Sequence, residues 1–168
     1  MNIIKVYKPL TYILALPTAI VALFTIFGIL LAIMNPVMLL PIFILLCVVT
    51  YVICSYIFLF KIIIAQKTSK KILKDLLRIN GIIALIFSVM NLINLASIIF
   101  NPMIMDKIVA DAITQSASSF PAGVTKEMIA KIAWTFIGLI AFYSAVLITH
   151  IIIGFGLMKR FASSFLAE

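Results

Sequence analysis

The chain has 168 residues, 65% of them hydrophobic and only 11% charged, with a mean hydropathy of +1.33 and a formal net charge of +8. Soluble domains are about 45–50% apolar and about 25% charged, so this chain lacks the polar surface to cover a water-facing globule. Its long apolar runs have no period-two alternation, which excludes a β-barrel.

At roughly 20–25 residues per span, the length accommodates four transmembrane helices and three connections. The expected fold is all-α: a four-helix transmembrane bundle, up-down-up-down, forming a single integral membrane domain over 1–168. Residues 1–9 are short and basic, with Lys5 and Lys8, and about 25 uncharged residues follow over 10–34. A cleavable signal has an apolar core of only about 7–15 residues, so this run reads as a retained first span, bent at Pro17. Asn35-Pro36 ends it, because a residue before proline avoids the α region. The second span is expected over 37–64, with Pro41 tolerated near its start.

A basic turn over 65–71 comes next. Lys61, Lys67, Lys70, Lys71, Lys74 and Arg78 crowd around a single acid, Asp75. Ser69 is the expected N-cap of the third span, 70–100. That span opens with Ile72, Leu73, Leu76 and Leu77 on one side and the charges on the other. Asn101-Pro102 closes it. The loop over 102–125 holds a short amphipathic helix with Met105, Ile108, Val109, Ala112 and Ile113 at helical spacing, expected on the membrane surface. A serine-rich turn comes after it, over 115–123. Thr125 caps the fourth span, 126–158, with Glu127 in its first turn.

Charge sets the expected orientation, since cations near helix ends collect in the cytoplasm. With four spans, one side carries ten cations (Lys5, Lys8, the six of the turn, Lys159 and Arg160) against Asp75 and Glu168. The other side balances Lys107, Lys126 and Lys131 against Asp106, Asp111 and Glu127. Both termini are therefore expected in the cytoplasm of a multi-pass plasma-membrane protein, and the isoleucine- and lysine-rich usage fits a bacterial inner membrane. Trp134, Tyr7 and Tyr12 are the expected interfacial aromatic anchors. The phrases around Asn35-Pro36 and Asn101-Pro102 are similar, as a parallel internal repeat would make them, although proline also ends unrelated helices.

The spans contain no charged side chain at their centres, and intramembrane charges are the usual mark of ion and proton pathways. Asn91 and Asn94 share a face of the third span, where they line a solute path or bond to a neighbouring helix. His150 and Cys54 lie at similar depth, roughly 12 Å in from the basic ends of their helices. A thiol–imidazole pair is one reading; a neutral imidazole bonded to a serine, a threonine or a backbone carbonyl is the plainer one. Cys47 and Cys54, seven apart in one helix, are too distant to bridge and read as packing residues. Ala133, Gly138, Ala141, Ala145, Gly154 and Gly156 give the fourth span small residues for close helix contact. The plan superficially resembles tetraspan membrane proteins, but their loop cysteines are missing over 102–125, so the resemblance implies nothing for the sites here.

The turn cations Lys61, Lys67, Lys70, Lys71, Lys74 and Arg78 are expected to bind anionic lipid headgroups. Nucleic acid is not an expected partner, because no aromatic residue interleaves the lysines. No cofactor or metal motif appears. The leading reading is a non-enzymatic accessory or assembly protein, acting through helix–helix and lipid contacts with another membrane protein or with itself. The alternatives are a component of a small neutral-solute transporter or channel, and a membrane enzyme using Cys54 and His150.

Overall fold

The structure, a computed structural model, describes residues 3–116 and 125–166. Helix α1 spans Ile3–Met34 and contains both Pro9 and Pro17. It starts earlier than hydropathy alone suggests. Each proline removes one helical donor, yet the helix persists because its buried face, Tyr7, Thr11, Leu14, Thr18 and Thr25, packs along its length.

Asn35 turns the chain, its side chain accepting from the Val37 N–H at 3.2 Å. A short 3₁₀ turn, Pro36–Met38, leads into α2, Leu39–Ile57. The last two turns of that rod, Phe58–Ile64, widen into a π-helix. It ends at Gln66, whose φ of 52° is the left-handed cap conformation. The Lys67 N–H reaches back to the Lys61 carbonyl at 3.0 Å, and the Gln66 amide donates to the Ile63 carbonyl at 2.9 Å. The wider turn thus still finds donors for the Lys61 and Ile63 carbonyls.

Ser69 is not a helix cap. Ser69–Lys70 form strand β1, which pairs in parallel with Phe165–Leu166, β2, near the other end of the chain. Helix α3 runs Lys71–Phe100, α4 Pro102–Ser116 and α5 Lys126–Arg160. A 3₁₀ turn, Ala162–Ser164, precedes β2. Four helical segments, Ile3–Met34, Pro36–Ile64, Lys71–Phe100 and Lys126–Arg160, are long and apolar enough to cross a membrane. The expected serine-rich turn falls mostly outside the described residues.

Asn35 and Asn101 make the same local turn. The N–H of each asparagine bonds four residues back, to Leu31 and Ser97, and the carbonyl of each accepts from the residue three on, Met38 and Ile104. Beyond the turn the two segments diverge: a long helix returns after Asn35, but the 15-residue α4 comes after Asn101.

The chain divides into two compact units, Met1–Ser88 with Val146–Glu168, and Val89–Ala145. The first unit has a core of Tyr7, Leu14, Val48, Tyr51, Phe58, Ile62, Leu77, Leu147 and Ile151, with Thr11, Ser55 and His150 buried among them. Its outer surface is apolar as well: Leu16 is 74% exposed, Phe24 69% and Ile33 77%. Of the four apolar residues opening α3, Leu73 and Leu77 are buried while Ile72 and Leu76 are exposed. In the second unit, Met105 and Val109 of α4 are buried. Thr125 caps α5, its hydroxyl accepting from the Met128 N–H at 3.3 Å, and Lys126 lies 3.5 Å from Asp106.

Candidate functional site: a closed histidine cluster

In a medium without water, a helix tolerates hydroxyls by turning them onto its own carbonyls. Thr11 donates to the Tyr7 carbonyl at 2.9 Å, Thr25 to Val21 at 2.7 Å, Ser55 to Tyr51 at 2.7 Å and Ser88 to Ala84 at 2.8 Å. Around His150 these hydroxyls serve a second purpose. Thr11 Oγ1 lies 2.9 Å from its Nε2, and Tyr51 Oη lies 2.9 Å from its Nδ1.

The tautomer of the ring is coupled to the direction of the Thr11 hydroxyl. With the one Thr11 hydrogen on the Tyr7 carbonyl, Nε2 carries a hydrogen and donates it to Thr11. Nδ1 is then the acceptor for the Tyr51 hydroxyl. The result is a neutral chain: Tyr51 to imidazole, imidazole to Thr11, Thr11 to backbone. The Tyr7 hydroxyl shares a side-chain hydrogen bond with Ser55.

Aromatic rings cover the imidazole. Tyr7 stacks on it with centroids 4.4 Å apart and planes 18° from parallel, and Tyr51 meets it edge-on at 5.7 Å. Tyr7 is only 1% exposed, so it is not the interfacial anchor expected from its place near the chain start; Tyr12 and Trp134, each 43% exposed, are placed more openly. Two glycines make room for this packing. A Cβ on Gly154 would lie 3.2 Å from Tyr51 Oη, and one on Gly81 would lie 3.1 Å from Tyr51 Cε2 and 3.0 Å from Phe155 Cε1. The space bounded by Tyr7, Tyr51, Phe58, Leu77 and Gly154 holds no water-sized void.

Cys54 is not a partner of the imidazole, since both ring nitrogens are already engaged. Cys47 and Cys54 are each 5% exposed and unbridged. Asn91 donates to Ser144 Oγ at 3.4 Å, a weak helix-to-helix bond, while Asn94 is exposed. Among the described residues, no three His, Cys, Asp or Glu side chains form a metal-holding group. Of the turn cations, Lys61, Lys67, Lys70, Lys71 and Arg78 are exposed and Lys74 is half-buried, its ammonium 5.8 Å from the centroid of the Phe165 ring.

Sequence reasoning found His150 but missed Thr11, Tyr51, Ser55 and Tyr7. The available signal was Thr11, Thr18 and Thr25, a seven-residue repeat of hydroxyls in the uncharged run over 10–34. In lipid such a stripe marks the inward face. Comparison with protein-family models, curated proteins and solved structures returned no match.

Proposed function

We propose that the chain is a multi-pass plasma-membrane protein of the bacterial inner-membrane kind, with an accessory or assembly role exerted through contacts with lipid and with other membrane proteins. The observation that carries this reading is the closure of the His150 cluster. Its polar atoms bond to one another, its rings cover the imidazole, and the space between Tyr7, Tyr51 and Gly154 holds no water-sized void. A catalytic or solute-binding centre needs an approach for its substrate. This cluster is a tie between helices.

The orientation with both termini cytoplasmic is supported from two directions. Ten cations fall at the chain ends and the central turn, against none in net excess at the other connections. Within the first unit, the turn and the C-terminal segment are joined by the β1–β2 pair, and Ile3 lines one groove with Arg160. Leu16, Phe24 and Ile33 are suited to facing acyl chains, because lipid is the solvent in which exposing them costs nothing.

The test is reconstitution of the full chain in liposomes, together with purification in mild detergent. The expected result is no flux of small neutral solutes and co-elution with a defined membrane-protein partner or a second copy. Solute flux from the isolated protein would overturn the assembly reading in favour of transport.

A further inference from the structure

On α3, Lys74, Arg78 and Ile82 succeed one another at four-residue steps and so form one axial row. They line a groove of about 590 Å³ together with Phe155, Met158 and Lys159 of α5. The cations lie toward one end of both rows and the apolar residues toward the other. From Lys74 to Ile82 the row is roughly 12 Å long. Asp75 lies about 100° around the helix from Lys74, and among the described residues no carboxylate pairs with Lys74, Arg78 or Lys159. Among the described residues the groove therefore presents three cations with no carboxylate partner, above an apolar wall.

We propose that this groove seats one anionic phospholipid. Its phosphate lies between Lys74, Arg78 and Lys159, and an acyl chain runs along Ile82, Phe155 and Met158. The charge complementarity selects an anion, and a basic recess between membrane helices is suited to a lipid phosphate. A free phosphate would leave the apolar half uncovered, whereas an amphiphile matches both ends. The inference rests on the proposed insertion of these helices in a membrane.

The test is native mass spectrometry of the full chain, equilibrated in detergent micelles with equal amounts of palmitoyl-oleoyl phosphatidylglycerol and phosphatidylcholine. The expected result is one retained phosphatidylglycerol per chain. The triple variant K74Q/R78Q/K159Q should lose it, roughly fivefold in affinity for each cation removed. The variant K5Q/K8Q/R160Q, which removes equal charge elsewhere, should keep it. Ile82→Trp fills the apolar end at a surface position and should also expel the lipid with the cations intact. Equal loss in both triple variants, equal retention of phosphatidylcholine, or displacement by inorganic phosphate would each overturn the lipid seat. Labelling of a cysteine at position 68 in sealed vesicles reports membrane orientation separately. Cytoplasmic labelling combined with a failed lipid test overturns the groove alone.

Discussion

The Tyr51 hydroxyl lies 2.9 Å from His150 Nδ1, across 99 positions of sequence. That bond joins α2 to α5, and with the Thr11 hydrogen on the Tyr7 carbonyl the ring carries its proton on Nε2. Nitrogen-15 NMR of histidine-labelled protein in nanodiscs should find the proton on Nε2. A proton on Nδ1 would reverse the hydrogen-bond chain.

Removing this tie should weaken the first unit in a graded way. Tyr51→Phe leaves Nδ1 without its donor and should cost about 1–2 kcal/mol. His150→Ala also opens a cavity and should cost about 3 kcal/mol. Denaturant titration in mixed micelles measures both. A Tyr51→Phe protein as stable as the parent would mean the bond contributes nothing.

The glycines of α3 and α5 should separate sharply. Gly81→Ala drives a Cβ against Phe155 and Tyr51 and should destabilise by about 1–3 kcal/mol. Gly138→Ala meets nothing within 4 Å, so it should be neutral or stabilise by up to about 1 kcal/mol through helix propensity. Thermal unfolding in detergent checks the pair, and similar effects at the two positions would contradict the packing around Tyr51.

The C-terminal segment should hold the basic turn in place. Phe165 stacks on Phe58 with centroids 5.9 Å apart and lies under the Lys74 ammonium, while its backbone pairs with Ser69. Phe165→Ala should cost about 1 kcal/mol and speed amide hydrogen exchange at Ser69 and Lys70. Unchanged exchange there would show that β2 does not protect the turn.

Single cysteines placed in a Cys47→Ala, Cys54→Ala background report sidedness. Thr68→Cys and Ser163→Cys should label from the cytoplasmic side with an impermeant maleimide, and Thr125→Cys from the opposite side. Labelling of positions 68 and 163 from different sides would be incompatible with the orientation proposed.

Composition by itself determined that the chain contains four apolar rods, and charge-free runs bounded by Asn-Pro and by lysines placed their ends to within a few residues. The exception was α1, where packing of Tyr7 and Thr11 carries the helix through Pro9. Hydrophobic periodicity did not reveal which side of each rod faces inward. Leu16 and Phe24 are as apolar as Leu14, yet only Leu14 is buried. In lipid, apolar residues are at home on either side of a helix, so they carry little directional information. Tertiary structure alone decided the partners of His150, which lie 99 and 139 positions away, and the pairing of Ser69 with Phe165. A buried polar atom without water must find a bond within the protein, and which atom it finds depends on where distant helices meet.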